Sequence, residues 1–350
     1  MSDDSSEEEH KELVSNDSVA VIVCFRDLHP GQNRQKHLEQ FVPYMELFFK
    51  KALDDAMCAE YKIYIVEQSM DTRKFNRGKL LNIGYKIAKK YNHNIFIFHD
   101  VDLLPSPELI SWYCTEPADK PIHIARVWDR YSKNENYIGG ITSFSEKQFE
   151  SINGYPNNYW GWGGEDDEIL ERLKEVNKVG FVMTKGKEQG LQGITKAEII
   201  AKLKAMDITE GEIERMKRDI GPGEFKLAAP DLYSGSIKDL EHMTLEEKLQ
   251  VLRENVEWKN QYKKELNLEQ REQLKIKDKT LRVWETNGLK MKGPRSGIKS
   301  IEESYKILSV NNLGDSENVF KITVDIGLNN DKWDKTAPVG YIANYKDKAP

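Results

Sequence analysis

The chain lacks any run of about 18 uncharged apolar residues, which is the length that a membrane-spanning helix requires. Its N-terminus reads MSDDSSEEEH and so lacks the basic and apolar regions of a secretory signal peptide. Because neither feature is present, we expect a soluble or cytoplasmic chain with no membrane segment.

Basic charge and cysteine are also scarce. Lys and Arg total 52 against 58 Asp and Glu, which gives a formal net charge of -6. No basic face dominates that could neutralise nucleic-acid phosphates, so we expect no nucleic-acid partner. The three cysteines, Cys24, Cys58 and Cys114, have no CxxC spacing, which argues against a disulfide framework and a zinc site and predicts reduced, packed thiols.

Hydrophobic residues make up 39% of the 350 residues, enough for the core of one large α/β domain with insertions or of two domains. Apolar strand patterns at 19–25, 61–66 and 94–100 alternate with amphipathic helical patterns over 38–52 and 78–90. This order predicts an α/β fold with a Rossmann-like, mostly parallel sheet flanked by helices.

Further patterns predict a strand near 137–144, a helix at 165–176 and two strands at 303–310 and 318–327. Composition divides the chain into five segments. They are a disordered acidic tail at 1–17, a core at 18–183, a small helical insertion at 184–236, the C-terminal part of the domain with added solvated helices at 237–328, and a C-terminal tail at 329–350.

The segment HDVDLLP places Asp100 and Asp102 directly after a predicted strand. In extended backbone, residues two apart project to the same side, and ligands of parallel sheets gather at the carboxyl ends of the strands. Two hard oxygen ligands there suit Mg²⁺ or Mn²⁺, especially one shared with a diphosphate. The alternative is that these acids merely end a strand.

The segment FNRGKLLNIGY joins an aromatic ring, a guanidinium and a glycine to a helix start. In a nucleotide clamp, Phe75 would stack on a base and Arg77 would bond to the nucleotide near the helix N-terminus. Arg26, after the first strand, would lie at the same sheet edge as Asp100 and Asp102. Taken singly, each feature has an ordinary alternative, such as a helix entrance with a buried Phe.

The segment GWGGEDDEI combines bare backbone, an indole and four acids. Glycines on both sides of Trp162 allow it to lie on a movable flap over a ligand. Acids 165–168 fall in the first turn of a helix, where the macrodipole predicts low pKa values and an ionised general base. The alternative is that the acids cap a helix and the tryptophans pack, which leaves GWGG without a purpose.

FNRGKLLNIGY, FIFHDVDLLP, NYIGG and SINGYPNNYWGWGGEDDEI follow one another in this order, and together they resemble the β-1,4-galactosyltransferase family. The resemblance runs over about 19–180 and resumes around His242 and in the segments SGIKS and ITVDIG. It implies a GT-A fold, Mn²⁺ with Mg²⁺ as the alternative, and inverting transfer of galactose from UDP-galactose to the 4-hydroxyl of an acceptor glycan or glycoconjugate. The family is usually anchored in the Golgi lumen, and this compartment is not carried over.

The resemblance also implies roles for residues that contact the donor. The family's Pro-Phe-Arg uridine segment corresponds to Cys24, Phe25 and Arg26, with the proline lost. The remaining donor contacts implied by the family are Phe75 for the base, Arg77 for the ribose, Asp100 and Val101 in the metal motif, Tyr137 for galactose preference, and Gly163 and Gly164 in the flap.

For catalysis, the resemblance makes Trp162 the flap residue that closes over the donor and Asp166 the catalytic base. Glu165 and Asp167 match acids that bind the acceptor. Asp102 matches the direct Mn²⁺ ligand.

His242 matches a second metal ligand, although by spacing alone a lone His is more often structural. The family's usual Met or His partner is missing, and Asp239 could substitute as an oxygen ligand.

Two alternatives stay open at this point. A protein of the same fold could use UDP-N-acetylgalactosamine or UDP-glucose as donor. The chain could also be a non-catalytic sugar-binding protein whose insertion serves a partner. Intact FNRG, DVD and GWGGEDD segments argue against the second alternative, because a protein without activity has no chemical need for all three.

Overall fold

The structure is a computed structural model that describes residues 15–27, 34–71, 73–127, 131, 137–161, 163–177, 182–183, 280–293 and 297–326. The predicted helical insertion, the predicted C-terminal tail and most of the predicted solvated helices lie outside these residues. Trp162, Asp239 and His242 also lie outside them.

Ten strands are present in the described part of the chain. They are β1 (Ser18–Phe25), β2 (Glu60–Gln68), β3 (Ile95–His99), β4 (Ile122–His123), β5 (Ile141–Phe144), β6 (Val182–Met183), β7 (Lys290–Lys292), β8 (Ile298–Ser300), β9 (Lys306–Asn312) and β10 (Val319–Asp325). Eight of them form one sheet in the order β6-β4-β5-β3-β1-β2-β10-β9, while β7 and β8 form a separate antiparallel pair.

The centre of the large sheet is parallel. Strand β1 pairs in parallel with β2 and β3, and β10 pairs in parallel with β2. Antiparallel strands flank this centre, because β5 pairs with β3 and β9 with β10. The predicted mostly parallel α/β sheet is therefore confirmed, and the strand predicted near 137–144 is confined to β5.

Five α-helices accompany the sheet in the described residues. They are α1 (Arg34–Asp54), α2 (Arg77–Ala88), α3 (Ile110–Tyr113), α4 (Glu146–Ser151) and α5 (Glu165–Asn177). Short 3₁₀ turns lie at Lys89–Tyr91, Pro107–Leu109, Ile124–Val127, Trp284–Thr286 and Ile301–Ser304. None of the described helices is both long and apolar enough to cross a membrane.

The core has two layers because successive side chains of a strand point to opposite faces. Val21 of β1 lies in the cluster that contains the buried face of α1, whereas Ile22 lies in the cluster around α2. Helix α2 lies directly on the sheet, since a β-carbon on Gly84 would overlap the Ile22 side chain. This contact packs the second half of α2 against the middle of β1.

Candidate functional site

A single guanidinium joins two of the segments singled out from the sequence. Arg77, the first residue of α2, donates from Nε and Nη2 to Oδ1 of Asp100, at 3.0 and 2.8 Å. Its Nη1 donates to Oδ1 of Asp166 at 2.7 Å and to Oε1 of Glu165 at 3.4 Å. The DVD segment and the start of α5 therefore converge on Arg77.

The start of α2 is held by the segment that precedes GWGG. Asn76 caps the helix by accepting from the backbone N–H of Lys79 at 3.0 Å, and its Nδ2 donates to the carbonyl of Asn157 at 2.7 Å. The backbone N–H of Gly161 donates to the carbonyl of Phe75 at 2.7 Å. The FNRG and NNYWGWGG segments are thus packed side by side, with Phe75 half-buried between them.

Two of the acids around Arg77, Glu165 and Asp100, have raised pKa values. Burial raises the pKa of Glu165 to about 8, with Asp166 adding to the rise and Arg77 opposing it. Burial likewise raises the pKa of Asp100 to about 6, again against Arg77. Glu165 therefore carries its proton at neutral pH.

The expectation of low pKa values at this helix start is wrong for Glu165. A helix macrodipole stabilises a nearby carboxylate by about 0.3–1 kcal/mol, whereas each pKa unit corresponds to about 1.4 kcal/mol. Glu165 is only 5% exposed, so the cost of removing its charge from water exceeds the contribution of the dipole.

The two aspartates of the DVD segment do not extend β3. The backbone turns after the strand, and the N–H of Leu103 donates to the carbonyl of Asp100 at 3.3 Å. The expected extended conformation is therefore wrong, and the two carboxylates meet different cations: Asp100 pairs with Arg77, and Asp102 pairs with Arg34 at the start of α1.

Arg34 was not predicted as a site residue. It lies after a segment without apolar periodicity, and only the path of the chain brings it to Asp102. Their side chains are 20% and 8% exposed, so the pair is largely removed from solvent.

Of the predicted metal ligands, Asp102 lies in the described part of the chain. Among the residues that the structure describes, no three His, Cys, Asp or Glu side chains are grouped to hold a metal. Asp102 does offer carboxylate oxygens of the kind that Mn²⁺ and Mg²⁺ prefer. Its ion pair with Arg34 shows that this position accommodates positive charge.

Tyr137 and Asp166 face each other across Gly139. A β-carbon on Gly139 would overlap both the Tyr137 hydroxyl and Oδ2 of Asp166, so only glycine leaves room for the two groups. Tyr137 stacks on Tyr131 with ring centroids 5.0 Å apart. Burial raises the pKa of Tyr137 well above its ordinary value, and the Asp166 charge adds to this rise. The Tyr137 hydroxyl is therefore a neutral group beside Asp166.

Two predicted donor contacts are directed into the protein. Phe25 is 2% exposed and belongs to the core cluster around α1. Arg26 donates to the carbonyl and Oδ1 of Asp71 at 2.8 and 2.9 Å and to the carbonyl of Arg73 at 2.9 Å. In this structure Arg26 fixes the loop that leads to Phe75.

The glycines of the GWGG segment have the backbone conformation that the flap hypothesis requires. Gly161, Gly163 and Gly164 have φ values of 93°, 89° and 97°, which L-residues rarely adopt. A β-carbon on Gly164 would overlap the ring of Tyr159, whereas one on Gly163 would point into open space. The chain therefore needs glycine here for two different reasons, conformation and close packing.

The last acid of the run is structural. Glu168 is fully buried; its Oε2 accepts from the Tyr159 hydroxyl at 2.9 Å, and its Oε1 accepts from Arg172 at 2.6 and 3.0 Å. Arg172 also donates to the carbonyl of Gly154 at 2.8 Å. Asp167, by contrast, is exposed. Four acids that are adjacent in sequence thus have separate surroundings.

The chain is similar to known glycosyltransferases. Residues 5–115 match the N-terminal region of glycosyl transferase group 7, and residues 119–190 match the N-terminal domain of galactosyltransferase. Mouse (Mus musculus) β-1,4-galactosyltransferase 1 is 42% identical over 167 residues, which cover 47% of this chain and 38% of the relative. β-1,4-Galactosyltransferase 4 of Cricetulus griseus is 42% identical over 168 residues, 46% of this chain and 43% of the relative.

The chain spans less than half of the length of these relatives. Among solved structures, the catalytic domain of Drosophila β-1,4-galactosyltransferase 7 in complex with xylobiose superposes with a TM-score of 0.50 at 20% identity, covering 89% of this chain and 95% of that chain. This likeness, with the mostly parallel sheet and its flanking helices, shows the GT-A fold. The chain belongs to the β-1,4-galactosyltransferase family.

Proposed function

We propose that this chain is an inverting glycosyltransferase that transfers galactose from UDP-galactose to a hydroxyl of an acceptor sugar, the 4-hydroxyl by resemblance to the family. One observation carries the proposal. Arg77 connects Asp100, in the segment proposed for donor and metal binding, with Asp166 and Glu165, in the segment proposed for the acceptor. A donor and an acceptor bound by these two segments would be brought next to each other.

Asp166 is the proposed general base. Glu165 has a pKa of about 8, so at neutral pH it holds a proton and serves as a hydrogen-bond donor to the acceptor. Asp166 has one oxygen held by Arg77, while its other oxygen faces Tyr137. Acceptance of the hydroxyl proton therefore falls to Asp166. The acceptor oxygen attacks the anomeric carbon opposite the diphosphate, and this in-line attack inverts the configuration.

Asp102 would hold Mn²⁺, with His242 as the second ligand implied by the resemblance and Asp239 as a candidate third. Mg²⁺ is the alternative ion. The bound ion would neutralise charge on the diphosphate leaving group.

Trp162 is the proposed flap residue, with Gly163 and Gly164 as flanking donor contacts. The positive φ values on both sides of residue 162 support a segment that changes conformation at glycines, and closure would exclude water that otherwise hydrolyses the donor. Asp167, exposed at the start of α5, is the proposed second acceptor contact.

The donor contacts are proposed from the resemblance. Half-buried Phe75 would stack on the base, while Arg77 would contact the ribose. For Phe25 and Arg26 the support is weaker, because the first is packed in the core and the second is bonded to the 71–73 loop. Val101 would contact the donor through the turn after β3.

The test measures Mn²⁺-dependent transfer from labelled UDP-galactose to an array of acceptor sugars. We expect Asp166→Asn to lower kcat about 10²- to 10⁴-fold, the range that a general base contributes. Asp54→Asn, at an exposed ion pair on α1, is the matched control and should transfer at the wild-type rate. Full activity of Asp166→Asn would refute the assignment of the base.

The same assay also tests which donor is preferred and whether the chain is a non-catalytic sugar-binding protein. Tyr137→Phe removes the hydroxyl beside Asp166, and we expect it to change the ratio of turnover with UDP-galactose to that with UDP-N-acetylgalactosamine or UDP-glucose. An unchanged ratio would refute a role of Tyr137 in donor choice. UDP release by the wild-type chain without transfer to any sugar would contradict the proposed reaction.

A further inference from the structure

Two of the three cysteines lie in segments that pack on the same aromatic ring. Phe49 of α1 stacks on Tyr61 with ring centroids 4.5 Å apart and meets the edge of Tyr113 at 6.0 Å. Tyr61 is three residues after Cys58, and Tyr113 directly precedes Cys114. Helix α1 therefore brings together two cysteine segments that are far apart in the chain.

A polar bridge holds the same two segments from another side. The backbone N–H of Ala59 donates to the carbonyl of Asp17 at 2.8 Å. Asn94 donates from Nδ2 to Oδ1 of Asp17 at 2.8 Å and to Oε2 of Glu116 at 3.0 Å. Ala59 follows the first cysteine of the pair, and Glu116 lies just beyond the second. Their proximity therefore rests on aromatic packing and on hydrogen bonds that are independent of it.

The two cysteines of this pair lie in the same buried cluster. Cys58 and Cys114 both belong to the core cluster around α1, at 2% and 7% exposure. Their proximity lowers the pKa of Cys58 and raises that of Cys114. Cys24 is separate, because it belongs to the cluster on the opposite face of the sheet. Burial raises its pKa to about 12.

Each buried cysteine of the pair is followed directly in the sequence by exposed residues. Ala59 and Glu60, directly after Cys58, are exposed, and so are the two residues after Cys114. A local opening of the turn between α1 and β2 would therefore give a small reagent access to Cys58.

We propose that Cys58 and Cys114 form an intramolecular disulfide when the chain meets a small-molecule disulfide such as oxidised glutathione. The Cys58 thiolate attacks one sulfur of the reagent, forming a mixed disulfide and releasing one glutathione thiolate. The Cys114 thiolate then attacks Sγ of Cys58 and releases the second glutathione. Two protein thiols are oxidised, and one glutathione disulfide is reduced to two thiols.

The resulting bridge would enclose β2, α2 and β3, and with them the FNRG and DVD segments. Closing a loop of this length restricts the unfolded chain more than the folded one, because the thiols are already neighbours in the folded protein. We therefore expect the oxidised protein to unfold at a higher temperature than the reduced protein.

The experiment uses the full chain, treated either with oxidised glutathione or with dithiothreitol, then denatured and alkylated with iodoacetamide. We expect one alkylated thiol, Cys24, after oxidation and three after reduction. Digestion without reductant should yield a linked pair of peptides containing Cys58 and Cys114. A thermal scan of the same samples should show the higher Tm after oxidation.

Single substitutions test which cysteines form the disulfide. Cys58→Ser and Cys114→Ser should each lose the linked peptides and the rise in Tm, whereas Cys24→Ser should keep both. Cys58→Ala and Cys114→Ala replace any serine variant that fails to fold. Three alkylated thiols in the oxidised wild-type chain, or linked peptides that contain Cys24, would overturn the proposal.

Discussion

The buried guanidinium at the site gives the sharpest test of the electrostatics. Arg77→Met removes the charge and keeps a side chain of similar length at the start of α2. Asp100 and Asp166 then lose the hydrogen bonds of 2.7 to 3.0 Å that Arg77 donates to them, and the Arg77 side chain is only 12% exposed. Removing one partner of a buried ion pair costs about 3–5 kcal/mol, so we expect a loss of this size in the free energy of unfolding at about pH 8.

The loss should depend on pH in a defined direction. With Arg77 present, the folded-state pKa values of Asp100 and Glu165 are about 6 and about 8, and removal of the cation raises both further. At a pH below these raised pKa values, Asp100 and Glu165 of the folded variant are protonated and no longer carry uncompensated buried charge. The difference in stability between wild type and variant should therefore shrink as pH falls from about 8 to about 5.5.

Urea unfolding followed by tryptophan fluorescence at the two pH values measures this difference. Lys50→Met is the matched control, because Lys50 and Asp54 form a pair whose side chains are 68% and 62% exposed. Solvent screens an exposed pair, so the control should change little at either pH. A loss for Arg77→Met below about 1 kcal/mol at pH 8, or an equal loss at both pH values, would refute the reasoning.

Three further predictions follow from single contacts. Because the pKa of Glu165 rises from 4.5 to about 8 on folding, its ionisation lowers stability as pH rises through that window, and Glu165→Gln should flatten the curve of Tm against pH. Gly139→Ala would overlap the Tyr137 hydroxyl and should lower kcat/KM for UDP-galactose about 10²-fold while the protein stays folded. Arg172→Met leaves Glu168 buried without its cation and should lower the free energy of unfolding by about 3–5 kcal/mol in urea.

Each of these has an outcome that contradicts it. A Glu165→Gln protein with the wild-type dependence of Tm on pH would show that Glu165 does not hold the extra proton. Wild-type kcat/KM in Gly139→Ala would show that the space above Gly139 is not needed. An unchanged urea midpoint for Arg172→Met would mean that Glu168 is neutral in the folded protein.

The sequence predicted the strands of the sheet centre because they are long enough to leave a pattern. From Val19 to Phe25 the residues of β1 are apolar without interruption, as burial on both faces requires, and all eight residues of the strand are buried. Strands β4 and β6 have two residues each, too few for any periodicity to identify them. The position of β10 beside β2 depends on a pairing between residues that are far apart in sequence, and a local pattern cannot show it.

The convergence of the site segments was predictable for a different reason. In a parallel sheet the residues after each strand share one edge. The predicted parallel sheet therefore already places FNRG and DVD at the same edge. The partner of Asp102 was not predictable, because Arg34 lies in no motif and reaches the carboxylate through the path of the chain. Arg77, Asp100 and Asp166 come from quoted motifs and lie together, whereas Arg34, which acts only by its position, was missed.

The acids 165–168 show why a motif identifies a site but not the chemistry of each residue. A helix turns about 100° per residue, so four consecutive side chains point in four directions. Glu165 and Asp166 lie at Arg77 and Asp167 is exposed.

One residue further, Glu168 points into the core and pairs with Arg172 one turn later, where both side chains are fully buried. Charge and the helix dipole are nearly the same for all four acids, so neither can be what separates a proton carrier, the proposed base, a surface acid and a structural ion pair. Burial and ion-pair partners differ along the run, and they depend on the segments that cover the helix start rather than on the acid run itself. A general base can therefore be assigned within such a run only once the neighbours of each carboxylate are known.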